Sequence, residues 1–269
     1  MTFHLLSAYV IWISLFLLTL VLLALALIQL ARYRRRLYEA IGRLRFEIPV
    51  VELEQFDPVF ATTAIGPTPA SEVYFIGGAD RVPNGVSDRE TWILSVLAKS
   101  ARTLFEFGTA TGKTTYLWAR NAPADARVTT ITLGPKQHDA YSASDEDNSN
   151  AARVAIAEST SSRFLYTGTD VEAKVAQLFG DSKAFDESLY HGVCDLIFTD
   201  GSHAYSYVRN DSEKALRMIR PGGVILWHDY RGSRGPTSDV HAYLNGLRSR
   251  LPLVHLRGTT LVACRMPLQ

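Results

Sequence analysis

The sequence predicts an α/β protein in which a mainly parallel, Rossmann-like sheet follows one N-terminal transmembrane helix. Two observations predict this architecture: an uncharged apolar run near the amino end and, from Ala101 onward, short apolar segments that alternate with amphipathic helical patterns. Such alternation is typical of βα units that build a parallel sheet. The chain has 269 residues, enough for one large α/β domain and an appendage.

The apolar run covers Leu5–Ala31 without a charged residue. At about 1.5 Å per residue, a helix of this length exceeds the roughly 30 Å hydrocarbon thickness of a bilayer. A cleaved signal peptide would have a basic residue before a shorter apolar stretch and a small-residue cleavage site after it, and neither pattern is present. Residues 1–31 are therefore predicted to be a transmembrane helix.

Four arginines follow this helix directly: Arg32, Arg34, Arg35 and Arg36. The positive-inside rule places the arginines, and everything after them, in the cytoplasm. We therefore expect a single-pass protein of a bacterial inner membrane with a cytoplasmic globular domain. The net charge of +1 gives no indication of a nucleic-acid partner, because the membrane already explains the basic cluster.

Residues 32–85 are expected to form a basic juxtamembrane segment and a Pro-rich linker or lid, ahead of a globular domain over residues 86–269. Five prolines interrupt this segment: Pro49, Pro58, Pro67, Pro69 and Pro83. Its stretch "EVYFIGG", residues 72–78, is too apolar for a free linker and is predicted to pack on the domain as a strand or lid.

The globular domain should begin with a helix, because Ser87 and Glu90 form a capping box ahead of an apolar face. Strands are predicted at "RTLFEFG", "VTTITL", "KVAQLFG", "CDLIFTD" and "GGVILWHD". A helix over "AYSYVRNDSEKALRMI" should stop at Pro221 and Gly222, and another should span Val240–Leu251.

The tail "LVHLRGTTLVACRM" predicts two more strands joined by a tight turn at Gly258. The sheet then has seven strands, the last of them antiparallel. Cys194 and Cys264 lie far apart in strand-like runs, which favours buried free thiols over a disulfide or a metal pair.

The stretch "EFGTATGKTT", residues 106–115, follows the first strand of the alternating region. A P-loop needs four residues between its first glycine and the Gly-Lys-Thr, whereas only three separate Gly108 from Gly112. The loop is therefore not predicted to wrap a polyphosphate.

An acid followed by such a glycine loop, together with a closing antiparallel hairpin, resembles the class I S-adenosylmethionine-dependent methyltransferases. The block "DLIFTDGSHAYSYVRNDSEKALRMIRPGGVILWHDY" is similar to a bacterial subfamily with Asp-Gly-x-His after the fourth strand and Pro-Gly-Gly before the fifth. The resemblance covers Val73 to Arg265 and is loose in "YSASDEDNSN", which is interpreted as a surface insertion. It implies S-adenosylmethionine as the cofactor.

The resemblance also implies a set of cofactor-binding residues: Glu106, Gly108, Thr109, Ala110, Gly112, Thr132, Asp181 and Ser182. Gly108 would let the backbone approach the methionine part, and Glu106 would orient its amino end through the loop or simply cap the loop. Ala110 stands where the family has its middle glycine. Asp181 would lie beside the adenine.

Thr132 departs from the family, in which an acid closes the second strand and holds both ribose hydroxyls. One threonine hydroxyl cannot replace a carboxylate that accepts two hydrogen bonds. The departure predicts weaker cofactor binding, a substitute acid from elsewhere, or lost activity.

Asp200 and Asp229 end strands at the carboxyl edge of the sheet, where open α/β sheets bind ligands. By resemblance to the metal-dependent O-methyltransferases, these two acids would hold a divalent cation such as Mg²⁺. Asp200, His203 and His228 are the predicted catalytic residues, with His203 suited to take a proton from a substrate hydroxyl. Each acid could instead cap the helix that follows it, and each histidine could be a packed ring.

The main functional hypothesis is methyl transfer from S-adenosylmethionine to a hydroxyl of a small molecule, sugar or lipid-linked glycan at the cytoplasmic membrane face. A non-catalytic, membrane-tethered module with the same fold is the alternative, motivated by Thr132 and Ala110. A third hypothesis is a different metal-dependent enzyme with the same fold. The methyl acceptor and the oligomeric state are not encoded in any motif of the chain.

Overall fold

The computed structural model describes residues 2–40, 47–78, 85–233 and 235–268. The chain divides into two compact units, Met1–Arg45 and Phe46–Gln269. The first unit contains the helix α1 (Thr2–Ala40), and within it Trp12–Arg34 is long and apolar enough to cross a membrane. The helix continues beyond the predicted end at Ala31, because no helix-breaking residue follows it.

The second unit contains a large sheet and a small hairpin. The strands of the large sheet are β1 (Val50–Val51), β4 (Thr103–Phe107), β5 (Arg127–Thr132), β6 (Val175–Phe179), β7 (Cys194–Thr199), β8 (Ile219–Trp227), β9 (Val254–Leu256) and β10 (Val262–Arg265). The hairpin is formed by β2 (Thr62–Thr63) and β3 (Gly66–Pro67). The helices are α2 (Leu53–Phe56), α3 (Asp88–Ala98), α4 (Lys113–Asn121), α5 (Ser149–Glu158), α6 (Tyr205–Met218) and α7 (Ser238–Leu247).

The large sheet has the order β1-β9-β10-β8-β7-β4-β5-β6. Only β10 is antiparallel to its neighbours, and the other ladders are parallel. The Rossmann-like sheet and its antiparallel last strand are thereby confirmed. Because β4, β5, β6 and β7 are parallel, their carboxyl ends meet at one edge of the sheet.

Helices cover both faces of this sheet. One core contains Ile93 of α3 and Trp118 of α4, and the other contains Ala215 of α6 and Leu244 of α7. The capping box predicted at Ser87 is present, and Cys194 and Cys264 are free and buried as expected.

The segment expected to be a linker differs from the expectation, because most of it belongs to the globular unit. Ile48 and Phe60 are buried in the core, and β1 adds an eighth strand beside β9. The compact unit that contains the sheet extends from Phe46 to Gln269. Residues 72–78, predicted to pack on the domain as a strand or lid, form no strand. They do pack on the domain: Val73 contacts the core, and the backbone N–H of the exposed Tyr74 donates to Asn121 Oδ1 at 2.8 Å.

The Pro-Gly-Gly segment also differs from its expected role as a helix stop. Helix α6 ends at Met218, and β8 begins at Ile219 and runs through the segment. Gly222 takes a left-handed φ of 76°, and the pairing of β8 with β7 shifts register between Cys194 and Leu196. The segment is thus a bulge that bends the start of the strand.

Candidate active site

The glycine loop, residues 108–112, joins β4 to α4 at the carboxyl edge of the sheet. Gly108 has a φ of 97°, and a Cβ on it would lie 2.1 Å from the carbonyl oxygen of Asp200. Its N–H donates to the Ile131 carbonyl at 2.8 Å. Gly108 is therefore required for the loop to lie against the ends of β5 and β7.

The far end of this loop is covered by the segment that follows α5. Gly112, with a φ of 77°, lies beneath an aromatic side chain: a Cβ on it would be 2.8 Å from the Cβ of Phe164. The Leu165 N–H donates to the Thr111 carbonyl at 3.0 Å. This segment therefore packs directly on the end of the glycine loop.

Glu106 and Thr109 support the loop from below. The Glu106 carboxylate accepts hydrogen bonds from Thr115 and, at 2.8 Å, from Thr130, whose hydroxyl is also 2.7 Å from that of Thr109. Burial raises the pKa of Glu106 to about 8. Neither side chain lines the cleft, so both can act on a ligand only by fixing the loop.

The raised pKa of Glu106 predicts a pH-dependent stability. Folding raises this pKa from 4.5 to about 8, so the stabilisation is complete below pH 4.5 and is lost as the pH rises toward 8. The loss is up to about 1.4 kcal/mol per pH unit. In Glu106→Gln the free energy of unfolding, measured by urea titration at pH 5 and pH 8, should fall less between the two pH values than in the wild type. If the free energy of unfolding changed by the same amount between pH 5 and pH 8 in both proteins, Glu106 would be ionised in the folded state.

An open cleft lies at this edge of the sheet. Of the predicted residues it is lined by Gly108, Ala110, Thr132, Asp181, Ser182 and Asp200, whereas Glu106, Thr109 and Gly112 lie outside it. Its other polar lining residues were not predicted: Tyr141, Glu158, Ser159, Ser202, Tyr207 and Asp211.

The first residue of the stretch interpreted as a surface insertion, Tyr141, lines this cleft. The Tyr141 ring stacks on the Tyr207 ring with centroids 4.5 Å apart, and its hydroxyl is 2.8 Å from that of Ser202. Asp147 accepts a hydrogen bond from the Ser206 N–H at 2.7 Å and so caps α6. Two aromatic rings at a cleft wall offer a flat apolar surface of the kind a nucleobase can pack against.

Two acids lie deeper in the cleft. Asp181 is buried, and its Oδ1 accepts from the Lys183 N–H at 2.9 Å. Asp211 is buried in the middle of α6, and burial raises its pKa to about 6. The sequence does not predict Asp211 as a site residue, because it follows no strand. It lies within α6, on a face of the helix that lines the cleft.

A second cavity of about 290 Å³ adjoins the cleft, and Asp200 lines both. It is also lined by His203, His228, Trp227 and Val240. The three predicted catalytic residues therefore lie together beside the cleft.

His203 is paired with Asp229. His203 Nε2 lies 2.9 Å from Asp229 Oδ2. Burial lowers the pKa of His203, but the Asp229 carboxylate outweighs burial, so the pKa is raised above its usual value. Asp229 has a φ of 62°, a strained value for a residue other than glycine, and its Oδ1 contacts Arg231 Nε at 2.6 Å. The positive groups around it hold the pKa of Asp229 below its usual range.

His228 is buried between two carboxylates. Its Nδ1 is 2.8 Å from Asp200 Oδ1, and its Nε2 is 3.4 Å from Glu90 Oε2. Burial lowers the pKa of His228, but Asp200 and Asp229 outweigh burial and raise it well above 6.5. A histidine that stays charged and donates from both nitrogens suits positioning of Asp200 better than proton abstraction.

Glu90 anchors this arrangement and was expected only as a helix cap. Its carboxylate accepts hydrogen bonds from the Thr260 N–H at 2.6 Å and from the Ser87 hydroxyl at 2.6 Å. These hydrogen bonds and His228 hold its pKa below the usual range despite burial. Glu90 thus ties α3 and the β9–β10 turn to the histidine that holds Asp200.

Asp200, His203 and Asp229 could hold a metal ion, because one ligand atom from each lies within 4.8 Å of the others. The predicted pair of acids is thus joined by a histidine nitrogen rather than by a third oxygen. Two carboxylates and one imidazole fit Mn²⁺, Fe²⁺ or Zn²⁺ better than Mg²⁺. A cation here would compete with Arg231 for Asp229.

The glycine loop, the cleft and the paired acids lie in the part of the chain that matches a known family. Residues 105–230 match the family model of a methyltransferase domain. This segment of the chain is therefore similar to a methyltransferase domain. The matched segment runs from β4 to the residue after Asp229 and contains every predicted cofactor, metal and catalytic residue.

The solved structures that are similar to this chain have low sequence identity to it. They include cofactor-bound Rv0187 from MTB, with 20% identity over 81% of this chain and 99% of that chain and a TM-score of 0.49. The O-methyltransferase TomG from Streptomyces achromogenes, involved in tomaymycin synthesis and crystallised with S-adenosylmethionine, has 20% identity over 70% and 84% and a TM-score of 0.45. An O-methyltransferase from Bacillus cereus in complex with S-adenosylhomocysteine has 20% identity over 70% and 86% and a TM-score of 0.45. No curated protein matches the chain.

Proposed function

We propose that this chain is an active O-methyltransferase, anchored in a bacterial inner membrane, that methylates a hydroxyl of a small molecule, sugar or lipid-linked glycan at the cytoplasmic face. The observation that carries the proposal is the His203–Asp229 pair, 2.9 Å apart, in a cavity that shares Asp200 with the glycine-loop cleft. A base supported by a carboxylate is what an acceptor hydroxyl needs to become a nucleophile.

The residues that line the cleft fit the chemistry of the cofactor. The glycine loop offers close backbone approach, the Tyr141 wall offers packing for a base, and Asp181 offers a carboxylate. When bound there, S-adenosylmethionine supplies the methyl group as an electrophile and leaves as S-adenosylhomocysteine. The role of Asp200, held by His228, is to orient the acceptor beside the cleft.

His203 is assigned as the general base that removes the proton from the acceptor hydroxyl. Its Nε2 faces Asp229, so Nδ1 is the nitrogen that takes the proton while the acceptor oxygen forms its bond to the methyl carbon. Asp229 then stabilises the imidazolium. A cation held by Asp200, His203 and Asp229 would instead lower the pKa of the acceptor hydroxyl directly. Activity that survives a chelator supports His203 as the base, and activity restored by Mn²⁺ after chelation supports the metal.

Methyl transfer is tested with membranes that contain the full chain and methyl-labelled S-adenosylmethionine. The label should enter an acceptor as an ether, which resists mild alkali, and Asp200→Ala should abolish this incorporation. Label released by mild alkali would point to a carboxyl acceptor and contradict the hydroxyl assignment.

A non-catalytic tethered module is the competing function, supported by Thr132 and Ala110 at two cofactor positions. Such a module would bind S-adenosylhomocysteine without transferring label, and its partner would bind the Asp200→Ala variant as well as the wild type. A different metal enzyme on this fold would bind a cation and ignore S-adenosylhomocysteine.

The cytoplasmic location predicts the outcome of a topology experiment. A reporter fused after Gln269 should give a cytoplasmic signal, because four arginines lie in the last turn of the candidate span Trp12–Arg34 and directly after it. Replacing Arg32, Arg34, Arg35 and Arg36 by Gln and adding two lysines after Met1 should invert or scramble the helix. A periplasmic signal from the unmodified chain would contradict both the topology and the access to the cofactor.

A further inference from the structure

Three consecutive apolar side chains lie on the surface of the globular unit. Tyr74, Phe75 and Ile76, here called the apolar strip, have relative exposures of 70%, 44% and 42%. Outside helix α1, no other stretch of the described residues exposes three large apolar side chains in a row. Such a run is unfavourable in water, and in folded proteins it marks a surface that contacts a partner.

The backbone of the apolar strip is held against the domain on both sides. The Asn121 side chain bonds both backbone polar groups of Tyr74: its Oδ1 accepts from the N–H at 2.8 Å, and its Nδ2 donates to the carbonyl at 2.9 Å. Beyond the strip, the Gly78 N–H donates to Asp88 Oδ2 at 2.9 Å. A fixed backbone therefore presents these side chains to the outside.

Two cations lie near the rings of the strip. Lys113 Nζ is 5.8 Å from the centroid of the Phe75 ring, and the Arg120 guanidinium carbon is 5.8 Å from that of Tyr74. Each cation is also paired with an acid of the domain. The strip therefore offers apolar contact area without an excess of charge. A tyrosine beside apolar side chains is typical of the boundary between lipid headgroups and hydrocarbon.

The length of the chain limits how far the globular unit can move from a bilayer. Only residues 35–45 separate the candidate span Trp12–Arg34 from the globular unit, which begins at Phe46. Even a fully extended connection of this length reaches no more than about 40 Å. In a chain anchored by this span, the tether raises the effective concentration of the lipid surface, so a small apolar contact is sufficient for binding.

We propose that the apolar strip is a second membrane contact, in which Tyr74, Phe75 and Ile76 insert at the headgroup boundary of the bilayer that holds the N-terminal helix. The inference rests on the proposed membrane anchor and does not depend on methyl transfer. Lys113, which lies near the Phe75 ring, directly follows Gly112 of the glycine loop. The contact therefore brings the start of α4 close to the headgroups, where an acceptor carried by the bilayer is located.

The test uses the full chain in phosphatidylcholine nanodiscs, with a nitroxide label on Phe75→Cys and electron paramagnetic resonance as the readout. Leu189→Cys is the control: Leu189 is 88% exposed, and its neighbour Tyr190 packs on the core of α6 and α7, across the sheet from the core that Val73 contacts. The two native cysteines are buried, and the wild type treated with the same reagent gives the background. Thermal unfolding verifies that the variants are folded, and Ile76→Cys provides a second label position.

Labels at positions 75 and 76 should be more accessible to oxygen, which dissolves in lipid, than to a water-soluble nickel chelate, and the label at position 189 should show the reverse order. Equal access of the nickel chelate to the strip and to position 189 would overturn the inference. Protection of the strip from both reagents would also overturn it, because protein rather than lipid would then cover the strip. A chain that separates from the discs in size-exclusion chromatography would instead contradict the proposed anchor.

Discussion

Replacing His203 by Asn should lower kcat for methyl transfer by about 10²- to 10⁴-fold, the usual contribution of a general base, and leave the affinity for S-adenosylhomocysteine unchanged. The reason is the position of His203: it lines the second cavity rather than the cofactor cleft, and its Nε2 is fixed 2.9 Å from Asp229. Single-turnover rates with labelled S-adenosylmethionine measure the effect on the chemical step.

The pH profile separates a base from a structural histidine. Because Asp229 raises the pKa of His203 above 6.5, the wild-type rate should fall as the pH drops through that raised value, and His203→Asn should lose this dependence. His191→Asn is the matched control, since His191 is half-exposed and pairs with Glu187 away from both cavities. If His203→Asn kept the wild-type rate and pH profile, His203 would not be the general base.

Gly108→Ala should be the most damaging glycine substitution in the site. A methyl group here would lie 2.1 Å from the backbone oxygen of Asp200, and the φ of 97° adds strain of about 1 kcal/mol or more. The loop or the end of β7 must move, so we expect loss of S-adenosylhomocysteine binding and a fall in the free energy of unfolding of several kcal/mol, a large part of a typical 5–15 kcal/mol.

Gly168→Ala provides the control for this substitution. Gly168 also has a left-handed φ, 79°, but a Cβ there would have no atom within 4 Å. The difference between the two variants in urea unfolding therefore isolates the clash with Asp200 from the backbone strain. Equal destabilisation of the two variants would show that the loop does not pack against β7 as described.

The sheet could be predicted because most of its strands are recognisable from their own short stretches of sequence. The strands from β4 to β8 are short runs rich in apolar or β-branched residues, and parallel pairing then places Asp200 and the glycine loop at one edge. The two-residue strand β1 has no such signal. It exists because Ile48 and Phe60 are buried by residues far away in sequence, which a proline-rich composition conceals.

The site was predictable only where residues follow strands. Asp200 and Asp229 were expected at the edge for this reason, and His203 through its spacing from Asp200. Glu158 lies on α5, Asp211 on α6, and Glu90 in the first turn of α3. Their positions in the site therefore depend on how these three helices pack on the sheet. Helical periodicity identifies an apolar face and does not reveal which polar residue a neighbouring cleft will meet.

A crystal structure of the chain with S-adenosylhomocysteine tests the central assignment most directly, namely that the glycine-loop cleft is the cofactor site. The prediction is adenosine beside Asp181 and the homocysteine part against Gly108, with the sulfur on the side of Asp200 and His203. Ligand bound elsewhere, or a cleft without ligand at saturating concentration, would contradict it.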